Sequence, residues 1–135
     1  MNVTTYLDST AAAGNRHYYR VRASNQGGTS AWSNVVTVIT IMPPSNLTAG
    51  TATRTSIPLT WVNASTAGVT GFSIQRATNA AFTTGLFTTS ITPGTATSRT
   101  ITGLMPKTTY YFRVAARTAT GNSAWSNVVS LKTLP

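Results

Sequence analysis

Few side chains in this 135-residue chain could do acid–base or nucleophilic chemistry. It has one histidine, His17, one acidic residue, Asp8, and neither glutamate nor cysteine. Ser9 completes the residue types of a serine–histidine–aspartate triad, but nothing around it indicates an oxyanion hole. Glycoside hydrolysis needs two carboxylates, which one chain cannot supply from a single aspartate. We therefore predict that the protein is not an enzyme and has no catalytic residues.

The same shortage of side chains argues against a metal or a cofactor. Zinc sites draw several ligands from cysteine, histidine and carboxylates, and this chain cannot supply them. No glycine-rich phosphate loop, nucleic-acid-binding motif or heptad repeat is present. No run approaches the ~20 apolar residues that a membrane-spanning helix needs. We expect no metal, no cofactor, no specific nucleic-acid partner and no membrane span.

The net charge of the chain is strongly positive, because ten Lys and Arg residues face one acid, giving +9. Such an excess favours attraction to polyanions, including nucleic acid, anionic glycans and charged lipid surfaces. The basic residues are scattered along the chain, which predicts weak and salt-sensitive binding. The alternative is that a surface rich in hydroxyls, with 28 Thr and 13 Ser, simply contains few acids.

The elements that position these side chains are organised by an internal repeat. The heptapeptide SAWSNVV occurs at residues 30–36 and again at residues 123–129. Aligning residues 18–40 with residues 111–133, a shift of 93, gives 13 identities in 23 positions without a gap. A spacing of about 90 residues is too long for a solenoid repeat and suits a small sandwich domain. We therefore predict domains in tandem.

The local patterns predict β-strands throughout. In YYFRVAAR, the side chains of Tyr110, Phe112 and Val114 alternate with those of the opposite face. Similar alternation marks SIPLTW, GFSIQRA and RTITGL, and turn-forming segments such as NASTAG and TPGT lie between them. No window shows an apolar period of 3.6 residues. We expect no helix longer than one turn.

Residues 43–135 resemble a fibronectin type III domain of the kind common in bacterial extracellular proteins. The resemblance rests on the paired prolines of PPSNL, on Trp61 in SIPLTW, and on a Leu-x-Pro-x-Thr-x-Tyr corner formed by Leu104, Pro106, Thr108 and Tyr110. It implies an all-β, immunoglobulin-like sandwich of seven strands. The structural residues of its core and corner are Trp61, Leu104, Pro106, Tyr110, Phe112 and Val114.

Two positions test this resemblance. Tyr110 is interpreted as structural, because a corner tyrosine buries its ring while its hydroxyl bonds the backbone upstream. Pro58 departs from the pattern, since it lies in the middle of strand B and cannot donate to a β-ladder. We expect a bulge or a weakened pairing at Pro58.

In the same register, the first copy of the repeat contains only the last three strands of the fold. We predict strand E over residues 3–8, strand F over residues 17–24 and strand G over residues 34–40. Residues 1–40 would then form a partial domain, residues 41–42 a linker, and residues 43–135 a complete domain. At the corner of the first copy, His17 stands where the tyrosine is expected.

Three strands bury too little apolar surface to offset the backbone entropy of folding, which is about 1–2 kcal/mol per residue. The partial domain must therefore pack on an upstream segment, on its neighbour or on a second copy. Its open edge favours strand addition between chains, which would build an assembly or a filament. The alternative is that a longer protein is simply cut at this point.

Trp32 and Trp125 follow the turn between strands F and G in the two copies. Each ring could lie over an outward arginine of strand F, Arg20 or Arg113, a contact worth about 0.5–1 kcal/mol at an exposed site. We interpret the rings as clamps on the sheet surface, and a platform for stacking a sugar is the alternative. The predicted interaction surface comprises Arg20, Trp32, Arg113, Arg117 and Trp125.

The resemblance implies a non-catalytic spacer or adhesion module of an extracellular or cell-surface protein, whose partners are other protein domains or copies of itself. Such modules in bacteria often separate catalytic from carbohydrate-binding domains. Two alternatives stay open: a filament subunit completed by strand exchange, and a module that binds glycans or polyanions. The chain does not begin with a basic and then apolar leader, so we expect any signal peptide to lie outside this sequence.

Overall fold

The computed structural model describes residues 3–65 and 67–135, and all regular elements in them are β-strands. No helix in these two ranges is long and apolar enough to cross a membrane. In chain order the strands are β1 (Arg16–Tyr19), β2 (Ser24–Asn25), β3 (Gly28–Thr29), β4 (Val36–Ile39), β5 (Ser45–Ala49), β6 (Ile57–Val62), β7 (Gly71–Ala77), β8 (Phe87–Ile91), β9 (Ser98–Ile101), β10 (Thr109–Arg117) and β11 (Val129–Lys132). The predicted all-β class is confirmed.

Residues 43–135, called the sandwich below, fold into two antiparallel sheets. One sheet has three strands in the order β5-β6-β9, and the other has four strands in the order β11-β10-β7-β8. This is the seven-stranded, immunoglobulin-like arrangement predicted from the sequence, with β10 and β11 as strands F and G. Two sheets are needed because each has one apolar face that must be buried.

The core lies between the two sheets, where alternate side chains of each strand meet. In β6, Ile57, Leu59 and Trp61 are buried, whereas Thr60 and Val62 are exposed. The rings of Trp61 and Phe72 pack across the core with their centroids 5.3 Å apart. The cluster also contains Phe112 and Val114, together with Leu47, Ile74, Ile91, Ile101, Leu104, Tyr110 and Ala116.

The expected bulge at Pro58 is not found, although Pro58 has no N–H to return the hydrogen bond that its carbonyl accepts. Strand β6 runs through Pro58, and its register with β9 does not shift from Ile57 to Thr60. The Pro58 carbonyl still accepts a hydrogen bond from Gly50 N–H at 2.9 Å. The irregularity lies instead in β5, whose register with β6 shifts between Ser45 and Thr48.

Tyr110 closes the corner before β10 as a structural residue. Its ring is buried, and its hydroxyl accepts a hydrogen bond from Met105 N–H at 3.0 Å. The N–H of Leu104, which is also buried, donates to the Thr55 carbonyl at 3.0 Å. Pro106 is half-buried beside them. The corner therefore ties the chain between the sheets through backbone groups that would otherwise be unpaired.

Residues 3–40, called the first repeat below, contain two small sheets. Strand β1 pairs with β4, and β2 pairs with β3 as a short hairpin. The predicted strands F and G are thus present but shorter than expected. The strand predicted over residues 3–8 is wrong, because these residues form no strand. In the sandwich the matching strand β9 pairs with β6, and the first repeat has no counterpart of β6.

The first repeat contacts the sandwich at the end where the chain enters it. A Cβ atom on Gly68 would lie 3.1 Å from Ile39 Cγ2 and 3.3 Å from Ile41 Cδ1, so the absent side chain makes room for both. A groove of about 360 Å³ runs from these residues to the loop at 118–120. Met42 N–H also donates to Ser65 Oγ at 2.9 Å. The boundaries of the predicted partial domain remain a prediction, and its residues 1 and 2 lie outside the described residues.

The chain leaves the sandwich at the opposite end. Leu134 N–H donates to the Thr53 carbonyl at 3.0 Å, and Lys107 N–H donates to the Leu134 carbonyl at 3.1 Å. These contacts place the last residues beside the corner, at the far end of the strands from Gly68. A strand rises about 3.3 Å per residue, so the nine residues of β10 separate the two ends by about 30 Å.

Candidate functional site

The two tryptophans of the predicted interaction surface lie in segments that are held by serines of the repeated heptapeptide. Ser126 N–H donates to the Val114 carbonyl at 2.8 Å, and Val114 N–H donates to Ser126 Oγ at 3.0 Å. Ser123 exchanges the same two bonds with Ala116, at 2.8 Å and 2.9 Å. Each hydroxyl replaces a backbone acceptor, so the segment stays attached to β10 outside the regular ladder.

The first repeat contains the same two serine contacts. Ser33 N–H donates to the Val21 carbonyl at 2.8 Å, and Val21 N–H donates to Ser33 Oγ at 3.0 Å. Ser30 pairs with Ala23 in the same way, at 2.9 Å and 3.0 Å. Both serines flank a tryptophan, so these bonds fix the position of the ring over strand F. This shared geometry explains why the two copies keep the same serine and tryptophan residues.

In the sandwich, the guanidinium of Arg113 lies among aromatic and amide groups. Its Cζ atom is 4.6 Å from the ring centroid of Trp125 and 4.1 Å from that of Phe82. Its Nε and Nη2 atoms both donate to Gln75 Oε1, at 2.9 Å and 2.7 Å. With no carboxylate nearby, ring quadrupoles and an amide dipole stabilise this positive charge.

In the first repeat, two arginines share one ring. The Cζ atoms of Arg20 and Arg22 lie 4.3 Å and 4.5 Å from the centroid of Trp32. In the sandwich, Arg76 also lies over Phe87, with its Cζ atom 4.9 Å from the ring centroid. Because the chain has a single acidic residue, these guanidinium groups contact aromatic rings where carboxylates would be their usual partners.

The structure brings together four of the five residues of the predicted interaction surface as two pairs, one in each repeat. Arg117 joins neither pair: its carbonyl accepts from Thr70 N–H at 2.8 Å, and within residues 3–65 and 67–135 its guanidinium stacks on no ring. Arg22, Gln75 and Phe82 also contribute to these contacts and were not predicted from the sequence. Arg22 could have been found, because it lies two residues after Arg20 and therefore faces the same side of the strand.

A second feature missed from the sequence is the bridge between Asn127 and Leu47. Asn127 Oδ1 accepts from Leu47 N–H at 3.0 Å, and Asn127 Nδ2 donates to the Leu47 carbonyl at 2.9 Å. The register shift in β5 leaves Leu47 without a ladder partner in β6, so the asparagine supplies both bonds. The signal was available, because this asparagine is identical in the two heptapeptides. We call this pair of bonds the asparagine bridge.

The residues of the triad considered in the sequence analysis do not form a relay. Asp8 Oδ1 accepts from the N–H and the hydroxyl of Thr10, at 2.9 Å and 2.6 Å, and Oδ2 accepts from the Tyr19 hydroxyl at 3.0 Å. His17 Nε2 lies 2.9 Å from the Ala12 carbonyl. In the part of the chain that the structure describes, no three His, Cys, Asp or Glu side chains could hold a metal.

These bonds shift two pKa values. The hydroxyl and then the N–H of Thr10, followed by Tyr19, hold the pKa of Asp8 below its usual value. Partial burial, and next the bond to Asp8, raise the pKa of Tyr19. Asp8 is therefore a tether that fastens the N-terminal segment to β1 through Tyr19.

Comparison with known proteins supports this description of the fold. The chain is 36% identical to chitinase A1 of Niallia circulans over 143 residues, which cover 96% of this chain and 19% of that protein. It is 38% identical to exoglucanase A of Cellulomonas fimi over 118 residues, which cover 84% of this chain and 12% of that protein. The chain thus spans a fifth or less of the length of these relatives.

Solved structures give the same fold. The chicken CNTN1 FN1–FN3 structure matches with a TM-score of 0.63 and 17% identity, covering 96% of this chain and 46% of that chain. The fn3 domain of the human collagen alpha-1(XX) chain matches with a TM-score of 0.59 and 26% identity, covering 70% of this chain and 86% of that chain. The family model of the fibronectin type III domain matches residues 42–132. The chain therefore belongs to the fibronectin type III family.

Proposed function

We propose that this chain is a non-catalytic spacer module of an extracellular protein that degrades a polysaccharide. The observation that carries the proposal is the path of the chain through the sandwich. It enters beside Gly68 and leaves beside Thr53, at opposite ends of the strands. A rigid sandwich with this path holds whatever precedes it and whatever follows it about 30 Å apart.

The relatives supply the context of the proposal. They are named as a chitinase and an exoglucanase, and the similarity covers a fifth or less of each. The remaining four fifths or more of such a protein would contain the other domains, and a spacer would hold those domains apart. Chitin and glucans are polymers too large to enter a cell, so we place the parent protein outside the cell.

The arginine–aromatic contacts support a structural role for the two tryptophans. A pyranose that stacks on Trp32 or Trp125 would compete with guanidinium groups that already lie 4.3–4.6 Å from the ring centroids. The positive charges are also spread over separate strands. A glycan- or polyanion-binding role therefore receives less support than the spacer role.

A self-assembling filament subunit is the second candidate function. It is favoured by the apolar side chains that the first repeat exposes to solvent, among them Tyr6, Val21 and Val35. Such a surface is unusual for a monomer and favours association. The core side chains of the sandwich are buried, however, so strand exchange would have to open a closed core.

The proposal is tested by measuring the distance between the two ends of the sandwich. The chain has no cysteine, so Met42→Cys with Leu134→Cys gives two unique labelling sites at exposed positions. Double electron–electron resonance should give one narrow distance distribution near 30 Å. A Gly/Ser chain of equal length between the same labels is the control and should give a broad distribution. A broad distribution in the native chain would contradict the spacer role.

A second assay separates the spacer from the glycan-binding role. The chain should neither hydrolyse nor co-sediment with insoluble chitin or cellulose in high salt. Retention that survives high salt and is lost in Trp32→Ala would instead favour a sugar platform. Retention that disappears with salt would favour the polyanion role.

A further inference from the structure

Each sheet of the sandwich ends in an edge strand on the same side of the molecule. Strand β8 is the last strand of the four-stranded sheet, and β9 is the last strand of the three-stranded sheet. Between these two edges lies a cleft of about 310 Å³, lined by Arg76, Phe87 and Thr89 from one sheet and by Arg99 and Ile101 from the other. We call it the edge cleft. Edge strands carry unpaired backbone groups that can bind another strand.

Two arginines occupy positions that face the core of the sandwich. Arg76 is paired with Phe112 in the ladder between β7 and β10, and Arg99 is paired with Leu59 in the ladder between β9 and β6. Paired residues on neighbouring strands point to the same face, and both Phe112 and Leu59 are buried. Arg76 is half-buried and Arg99 is exposed. The apolar core therefore ends in two positive charges on this side of the molecule.

Neither of these guanidinium groups has a hydrogen-bond acceptor in the part of the chain that the structure describes. Arg76 lies instead over aromatic rings, with its Cζ atom 4.9 Å from the centroid of Phe87 and 5.8 Å from that of Tyr110. Arg113 differs, because Gln75 Oε1 accepts bonds from two of its nitrogens. A guanidinium has five N–H donors, so the edge cleft retains donors for an acceptor from another molecule.

The chemistry of these donors indicates a carboxylate as that acceptor. The fork of N–H groups in a guanidinium matches the two oxygens of a carboxylate. The single acid of this chain, Asp8, is already bonded to Thr10 and Tyr19 in the first repeat. A carboxylate in the edge cleft must therefore come from a partner.

We propose that the edge cleft binds an extended acidic polypeptide, which adds to β8 as a further strand. Alternate side chains of an added strand point to the same face of the sheet. Two acidic side chains separated by one residue would thus both enter the edge cleft, where one meets Arg76 and the other meets Arg99. A glycan with uronic acids has the same carboxylates, but it has no peptide backbone to pair with the edge of β8.

A second copy of this chain does not have the chemistry of this ligand. Its β8 reads FTTSI and its β9 reads SRTI, so neither edge strand carries an acid. Pairing two such edges would bring the arginines of both copies together, although each chain already has a net charge of +9. Inward-pointing charges of this kind oppose edge-to-edge pairing of like strands. The two arginines therefore exclude copies of this chain and favour an acidic strand.

Nuclear magnetic resonance of the full chain, labelled with a nitrogen isotope, tests the proposal. The probe is the acetylated and amidated peptide Ser-Thr-Glu-Thr-Glu-Thr-Ser, whose glutamates face one side of a strand. It should shift the Nε–Hε signals of Arg76 and Arg99 and the amide signals of β8, and the shifts should saturate. The peptide Ser-Thr-Thr-Glu-Glu-Thr-Ser has the same composition, but only one of its glutamates can face the edge cleft. It should bind about tenfold more weakly.

Charge reversal provides a second test. Arg76→Glu combined with Arg99→Glu should abolish binding of the glutamate peptide and create binding of Ser-Thr-Lys-Thr-Lys-Thr-Ser. Lys107→Glu combined with Lys132→Glu is the matched control, because it makes the same change of charge near β11, at the opposite edge of the sheet, and should leave binding of the glutamate peptide unchanged. Spectral dispersion shows whether each variant is folded. If the reversal unfolds the chain, Arg76→Gln with Arg99→Gln replaces it and should bind neither peptide.

Three results would overturn the proposal. Equal binding of the two glutamate peptides would mean that charge attracts them without strand pairing. Trigalacturonate that shifts the two arginine signals at lower concentration than the peptide would mean that a uronic-acid glycan is the ligand. Absence of any saturable shift at the arginines would mean that they only protect the edges from pairing. The end-to-end distance of the sandwich is measured separately, so this proposal and the spacer role can fail independently.

Discussion

The side-chain amide of Asn127 forms two hydrogen bonds with the backbone of Leu47, accepting from its N–H at 3.0 Å and donating to its carbonyl at 2.9 Å. Leu47 belongs to the three-stranded sheet, and Asn127 precedes β11 of the four-stranded sheet. One amide therefore ties the two sheets together at the point where β5 loses its pairing with β6. The sandwich depends on this bond pair, and the equivalent Asn34 of the first repeat has no described partner.

Replacing Asn127 with alanine should lower the free energy of unfolding by about 2 kcal/mol, because two buried backbone groups lose their partners. Urea unfolding followed by tryptophan fluorescence measures the change. Asn34→Ala removes the same side chain from the first repeat, and we expect a change within about 0.5 kcal/mol. Equal losses in the two variants would contradict the assigned role of the asparagine bridge.

Tyr110→Phe should lower the free energy of unfolding by about 1–2 kcal/mol, because Met105 N–H loses the hydroxyl that accepts its hydrogen bond. Tyr111→Phe is the control, since no hydrogen bond to its hydroxyl is found among the described residues. Chemical denaturation of both variants provides the comparison. A Tyr110→Phe variant as stable as the control would show that the corner does not need its hydroxyl.

Arg113→Lys should lower the free energy of unfolding by about 1 kcal/mol although it keeps the charge. A lysine cannot bond Gln75 through two nitrogens in one plane, nor can it stack as a plate between Phe82 and Trp125. Arg54→Lys, at an exposed position, serves as the reference and should be nearly neutral. Thermal unfolding of the pair reports the difference. An equal effect at both sites would mean that charge alone matters at Arg113.

The attachment of the N-terminal segment should weaken in acid. The pKa of Asp8 is lower in the folded chain than the 3.8 of a free aspartate, so the tether is fully present above pH 3.8 and is lost as the pH falls through the lowered value. NMR titration of the Thr10 amide proton measures this pKa. Asp8→Asn should abolish the titration of that proton, and a midpoint at or above 3.8 would contradict the tether.

Much of the sandwich could be predicted from the sequence, because its signals are local. Alternating apolar residues predicted β6, β7 and β10. The corner motif predicted that Tyr110 is buried at the start of β10. The stacking of Arg113 on Trp125 also followed from strand alternation and the position of the turn. These features depend on neighbours within one strand or across one hairpin.

Features that depend on distant residues could not be predicted. Phe82 reaches Arg113 from a loop with no periodic pattern, and the asparagine bridge joins residues 80 positions apart. The strand expected over residues 3–8 is absent because a strand needs a partner, which the local pattern does not show. Pro58 was expected to disturb β6, yet the register shift occurs in β5.

The central claim is that this chain is a spacer rather than a subunit that assembles with itself. The most direct test is its molar mass by light scattering after size separation, over a hundredfold range of concentration. We predict a constant mass near 14.2 kDa. A mass that rises with concentration, or elongated particles in the void volume, would contradict the claim and favour the filament.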